Sequence, residues 1–284
     1  MKIIFIGSVK IGHIILESIY ESNYSVDTIF TLSFDKSEQT SGFFDYKPIS
    51  EKYQSNLIRT NNINTEENIS QIKKINPDII IVAGWQRLIC KEILEIPRLG
   101  TIGFHSSLLP KYRGRAPVNW AIIMGEKETG ITMMYLSPGV DDGDIIAQKS
   151  FRIMFDDDCG TVYDKAATAG AELMKEYLPI FEKSNIPVIH NDSNSYPAYP
   201  KRTPVDGLID FKRSALDVYN FVRALTRPYP GAYYYDNNGN KIYVWRIGII
   251  FDDNQIRDND IVLETNDLKV FLIDYSIEKE ENKL

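Results

Sequence analysis

KIIFIGSVKIGHIILESIYESNYSVDTIFTL, residues 2–32, decides the fold. KIIFIG is a short apolar run closed by a turn residue, as a strand buried on both faces requires. In VKIGHIILESIYE the spacing changes, and Ile11, Ile14, Ile15, Ser18 and Ile19 fall on or near one helical face. VDTIFTL, residues 26–32, is a second strand. The pattern then continues outward. NTEENISQIKKINP (64–77) reads as a helix capped by Asn64 or Thr65, with Glu67 near the third position and Pro77 ending it. DIIIVAGW (78–85) is a buried strand, CKEILEIP a short helix and TIGFH (101–105) another strand. Strands alternating with helices argue for a parallel sheet covered on both faces. Residues 35–62, polar with scattered aromatics, read as irregular.

Beyond this region GITMMYLS (130–137) and DIIAQKSFRIMF (144–155) read as strands and residues 161–184 as a long helix. Residues 185–206 are a connector rich in Asn, Pro, Tyr and Ser, where a domain boundary is expected. The remainder reads as a helix (214–226), a hairpin around Asn238-Gly239 and a further hairpin over VLETNDLKVFLIDY. The expected division is a catalytic domain over 1–190 and a small, mainly β domain over 200–284.

The chain of 284 residues is 43% hydrophobic and 25% charged, enough to bury a core without staples. Its two cysteines, Cys90 and Cys159, do not demand pairing, so a reducing compartment is the plainer reading. Lys10 interrupts the apolar start and no small-residue cleavage site follows, which favours a first strand and helix over a signal peptide. No run reaches the length of a membrane span. A cytoplasmic location is expected. The net charge of −7 gives no field that would attract a long polyanion.

Three stretches can carry chemistry. His105 ends a predicted strand, where ligand sites of open α/β sheets gather, although a lone histidine is more often structural. Lys111, Arg113 and Arg115 form a basic knot ahead of Ala116-Pro117, which reads as the first turn of a helix over APVNWAIIMG; it is a phosphate site or a solvated loop. Gly139-Val140-Asp141-Asp142-Gly143-Asp144 is a tight turn, a weak calcium loop, or a turn whose aspartate faces His105 and fixes its proton. No metal set is assigned. A dinucleotide fold is not supported, because GSVKIG lacks the G-x-G-x-x-G spacing.

HSSLLPKYRGRAP, together with Val140-Asp141-Asp142-Gly143 placed so that Asp141 follows His105 by 36 residues, resembles the folate-dependent formyltransferases. KRTPVDGLIDF, RALTRPYPGAYYY and KIYVWR in the tail resemble the C-terminal domain of two branches. One is methionyl-tRNA formyltransferase; the other formylates amino groups on nucleotide-linked sugars and includes the formyltransferase half of the aminoarabinose enzyme. The resemblance implies a Rossmann-like, mostly parallel α/β domain with an OB-like β domain behind it. It implies 10-formyltetrahydrofolate as formyl donor and a primary amine as acceptor, with His105 and Asp141 catalytic. The folate would lie against Trp85, Gln86, Arg87, Leu88 and Ile89 and the turn of Val140 and Asp141. Lys111, Arg113, Arg115, Arg202 and Tyr229 would meet the acceptor. In this family an Asn two residues before the His usually donates to the oxyanion; this chain has Gly103.

The segment from 248 onward is acidic, which favours a nucleotide-linked amino sugar over tRNA as acceptor. A dTDP- or UDP-linked 4-amino-4,6-dideoxyhexose, in a lipopolysaccharide or O-antigen pathway, is the implied substrate; methionyl-tRNA is the alternative. A folate hydrolase and a non-catalytic binding protein are the remaining readings. No nucleic-acid or membrane partner is expected. Exposed strands in the tail are compatible with a homodimer.

Overall fold

The computed structural model describes residues 1–183, 186–192, 195–252, 254, 256–257 and 259–278. The chain forms two compact units. The first comprises Met1–Gly114, Glu128–Phe151 and Tyr163–Ala198; the second comprises Arg115–Lys127, Arg152–Val162 and Tyr199–Leu284.

The first unit is built on a seven-stranded sheet of order β3-β2-β1-β4-β5-β6-β7. Its strands are β1 (Ile3–Ile6), β2 (Val26–Thr31), β3 (Asn56–Arg59), β4 (Ile79–Val82), β5 (Thr101–His105), β6 (Glu128–Tyr135) and β7 (Ile145–Arg152). β1 runs parallel to both β2 and β4, and β5 runs parallel to β4. β6 reverses direction, pairing Ile102 with Tyr135 and His105 with Thr132.

Successive residues of a strand face opposite sides of a sheet, so a strand covered on both sides must be apolar throughout. That is why IIFI and IIIV are unbroken. Ile3, Phe5, Ile79 and Ile81 pack with α1 (Lys10–Glu21) and with Ala169, Leu173, Met174 and Leu178 of α6 (Cys159–Glu182). Ile4, Ile6, Ile80 and Val82 pack on the other side with Ile69 and Ile72 of α3 (Glu66–Ile75) and Ile93 and Leu94 of α4 (Lys91–Leu94). Thr65 caps α3 by accepting from the Asn68 N–H at 3.3 Å, and Asn76 ends it in the left-handed conformation.

Residues 35–62, expected to be irregular, instead contain α2 (Lys47–Lys52) and the edge strand β3. Neither has a readable period. α2 buries only Ile49 and Ser50, and β3 has no fully buried residue. Tertiary pairing with β2 creates β3.

In the second unit α5 (Pro117–Ile123) packs on α7 (Ala215–Leu225), with the Asn119 side chain donating to the Ala224 carbonyl at 2.6 Å. α7 lies on a four-stranded sheet of order β10-β11-β9-β8, formed by β8 (Ala232–Tyr235), β9 (Lys241–Ile250), β10 (Val262–Glu264) and β11 (Lys269–Glu278). All the strand pairs are antiparallel. Val218, Val222, Ile242, Val244, Val270 and Leu272 supply the core. Mostly parallel α/β followed by a small antiparallel β domain is the architecture expected from the sequence. Among the described residues, no helix is long and apolar enough to cross a membrane.

Candidate active site

His105 is the last residue of β5 and only 8% exposed. Its Nε2 lies 3.0 Å from the Tyr112 carbonyl oxygen. A carbonyl can only accept, so Nε2 carries the proton in this contact. The contact thereby selects the tautomer and leaves Nδ1 facing Asp141, whose Oδ1 is 3.6 Å away, too far for a hydrogen bond. The other carboxylate oxygen, Oδ2, accepts from the Gly114 N–H at 3.0 Å. The basic knot therefore touches the pair through its backbone, at Tyr112 and Gly114.

The loop making these contacts is tied down beneath His105. The Thr132 hydroxyl donates to the Ser107 carbonyl at 2.6 Å and accepts from the Leu109 N–H at 3.1 Å. Gln148 donates to the Leu109 carbonyl at 2.8 Å, and Ser107 Oγ to the Lys111 carbonyl at 2.7 Å. Tyr112 takes a φ of 56° and Gly114 one of 102°, so the chain makes two left-handed turns around the imidazole. A tyrosine holds that conformation only where its surroundings enforce it.

Asp141 arrives by an indirect route. Since β6 is antiparallel to β5, its end lies beside Ile102, at the wrong end of β5 for His105. The following loop runs back along β5. Leu136 covers Gly103, where an added Cβ would meet Leu136 Cδ2 at 2.3 Å. Asp141 then comes beside His105. Residues two apart on a strand share a face, so Gly103 and His105 look the same way. The surface next to His105 is thus leucine side chain and bare backbone.

Asp141 itself has a φ of 48°. The Arg113 guanidinium donates to the Val140 carbonyl at 3.3 Å, and Ser137 Oγ donates to the Asp142 carboxylate. Asn191 donates through Nδ2 to the carbonyls of Asp141 and Gly143 at 3.0 and 3.2 Å. Sequence reading missed Asn191, Tyr112 O and Gly114 N. The last two are backbone atoms, which no residue pattern reports.

The loop after β4 exposes Gln86, Arg87 and Leu88, the last to 66%, while Ile89 is buried in the core. Trp85 packs against that core, and its Nε1 is buried without a hydrogen-bond partner. Asn64 fixes the loop by donating to the Leu88 carbonyl and accepting from the Cys90 N–H, at 3.1 and 2.9 Å. Arg87 donates to the Asn61 carbonyl. Val140 is 46% exposed. Lys111 is exposed in the first unit. Arg115, Arg202 and Tyr229 belong to the second unit. There Arg115 is exposed, and Arg202 is stacked between Trp120 and Phe221, 4.9 and 5.3 Å from the ring centroids. Tyr229 is half-buried, its N–H donating to the Thr226 carbonyl at 3.0 Å. Among the described residues no group of three or more His, Cys, Asp or Glu side chains is placed to hold a metal ion.

Comparison with known proteins gives the family and the fold. Residues 1–178 match the family model described as formyl transferase, and residues 201–273 match that of the formyl transferase C-terminal domain. The bifunctional polymyxin resistance protein ArnA of Wigglesworthia glossinidia brevipalpis is 36% identical over 254 residues, covering 89% of this chain and 38% of that protein. Methionyl-tRNA formyltransferase of Clostridioides difficile is 35% identical over 279 residues, covering 96% of this chain and 89% of that one. In fold, the chain is similar to an N-formyltransferase from Helicobacter canadensis solved with folinic acid and dTDP-3-aminofucose. The TM-score is 0.73 at 18% identity, covering 96% of this chain and 98% of that one. A 4-N formyltransferase from Francisella tularensis gives a TM-score of 0.67 at 20% identity, over 86% of this chain and 96% of that one.

Proposed function

This chain belongs to the formyl transferase family, and we propose that it moves a formyl group from 10-formyltetrahydrofolate to the amino group of a nucleotide-linked amino sugar. The observation that supports transfer is the His105–Asp141 pair, with Nε2 engaged by the Tyr112 carbonyl and Nδ1 left for the reaction. The folate supplies a formyl carbon open to attack by an amine. Exposed Leu88 and Val140 suit a flat, partly apolar ring system. The buried Trp85 Nε1, without a partner, suits a ligand edged with acceptors.

The chain's own residues then have separable tasks. Nδ1 of His105 takes the proton lost by the attacking amine and, while protonated, donates toward the developing oxyanion; the proton then passes to N10 as the N10–formyl bond breaks and tetrahydrofolate leaves. Preorganised donors of this kind contribute on the order of 10²–10³ in rate. Asp141, held by the Gly114 N–H, keeps a carboxylate facing that nitrogen. The Tyr112 carbonyl stops the ring from turning its other nitrogen into the site. With glycine at 103 and leucine over it, no side chain on that part of β5 adds a second donor. Lys111 and Arg113 are positioned in sequence to meet the diphosphate of the acceptor.

The acceptor assignment rests on charge. A net charge of −7, with an acidic segment from 248 onward, opposes the long phosphate backbone of tRNA more than it opposes one nucleoside diphosphate. Two solved relatives of similar fold carry sugar N-formyltransferase names. Methionyl-tRNA is the second reading, favoured by the 35% identity to the Clostridioides difficile enzyme over nearly the whole chain. The test incubates the protein with 10-formyltetrahydrofolate and a panel of dTDP-, UDP- and GDP-linked amino sugars plus methionyl-tRNA, read by mass spectrometry. A formyl gain on a sugar is expected. Gain on the charged tRNA alone overturns the acceptor, and no gain on any overturns transfer.

A further inference from the structure

Asn191 has no part in either sequence motif, yet it is 2% exposed and directed at the turn that carries Asp141. Its Nδ2 donates to two carbonyls, of Asp141 at 3.0 Å and Gly143 at 3.2 Å. These two acceptors fix the amide's orientation, because the reversed amide would set its oxygen against both. Oδ1 is left buried with no partner. A buried polar atom without a partner is costly, and its retention calls for a compensating role.

We propose that Asn191 is the positioning residue for Asp141. Asp141 sits at a φ of 48°, a region sparse for residues other than glycine. In that conformation the direction of the carbonyl and that of the side chain are set together, so holding the carbonyl holds the carboxylate. Asn191 grips Asp141 O and Gly143 O, on either side of Asp142. Gly143 is itself pressed onto β6, where an added Cβ would lie 1.8 Å from the Tyr135 carbonyl oxygen. Asn191 is in turn delivered by a fixed element: Ile189 pairs with Ile145 at the start of β7 through two backbone hydrogen bonds of 2.8 Å. His190 lies 3.2 Å from Asp144 beside it. The bridge at Ile189 therefore anchors the segment that brings one amide to the turn.

The inference rests on the reading of Asp141 as a working residue, and the experiment separates the two. Asn191→Leu keeps the size of the side chain and removes its donors. Asn191→Ser keeps a smaller donor and covers the case in which the leucine variant does not fold. Each is made alone and with Asp141→Asn, and transfer from 10-formyltetrahydrofolate to the acceptor panel is measured per folded molecule. Alone, Asn191→Leu lowers kcat by roughly 10- to 100-fold, as a displacement of about 1 Å would, with KM for the folate nearly constant. Asn191→Ser falls between it and the parent. In the Asp141→Asn background neither adds a further loss, since residues acting through one another are not additive. An Asn191 loss that persists undiminished without the Asp141 carboxylate shows a structural role only and overturns the inference, as does an unchanged kcat in both Asn191 variants. An unchanged kcat in Asp141→Asn, or no transfer by the parent, overturns the reading of Asp141 and the inference with it.

Discussion

Gly103→Ala would place a Cβ 2.3 Å from Leu136 Cδ2 and 2.9 Å from its Cγ. Backbone strain does not enter, because Gly103 lies in a regular strand paired on both sides. The cost is steric. Overpacking of this sort destabilises by about 1–3 kcal/mol, and a half-buried leucine able to shift a little sets the value near 2. Leu136→Ala removes packing against Leu109, Met134 and Ile145 and costs about 2 kcal/mol, the low end for a leucine truncation. In the double variant the new methyl occupies space the leucine has left. Its cost is therefore about 2 kcal/mol rather than 4, a coupling of about 2. In a domain of this size each kcal/mol moves Tm by about 2–4 °C, so all three variants fall by a similar 4–8 °C. Thermal unfolding followed by circular dichroism reads this directly. A double variant whose losses add within about 0.5 kcal/mol refutes the placement of Leu136 over Gly103.

Two further outcomes follow from buried groups elsewhere. Burial against Phe44 and Tyr46 pushes the His13 imidazole below its ordinary range, with Glu17 opposing and Lys52 assisting. The unfolded chain then binds more protons than the folded one between the folded pKa and about 6.5, so this part of the stability is present above that value and lost as pH falls. His13→Phe keeps the stacking and removes the titration; urea unfolding at about pH 7.5 and 5.5 should show a smaller acid loss than in the parent, and an equal loss contradicts the assignment. In the second unit Arg223 donates to the carbonyls of Met154 and Asp157 at 2.9 and 2.6 Å. Arg223→Met leaves both without that donor at roughly 1–3 kcal/mol each, so Tm drops and proteolysis at exposed Met154-Phe155 quickens; unchanged cleavage counts against it.

The strands of the parallel sheet were legible because burial on both faces leaves nothing but apolar residues in IIFI and IIIV. α3 was legible because Thr65 carries N-cap chemistry of its own and Pro77 cannot continue a helix; the left-handed stop at Asn76 was not read. α2 and β3 were not, since each exists by virtue of contacts made after the sheet forms. His105 and Asp141 stood out as motif residues at a fixed spacing. What sets their geometry is largely invisible to residue patterns: a carbonyl at Tyr112, an N–H at Gly114, and Asn191 in a stretch that read as connector. Even the meaning of Gly103 changes in three dimensions, from a missing donor to a space filled by Leu136.

His105→Asn tests whether His105 works the formyl transfer. Tetrahydrofolate release from 10-formyltetrahydrofolate is followed in the presence of the amine acceptor, while binding of 5-formyltetrahydrofolate is measured separately by calorimetry. A fall in kcat of about 10²–10⁴ is expected, with folate affinity preserved within about threefold. A variant that binds folate and keeps more than about a tenth of the parent's kcat would contradict it.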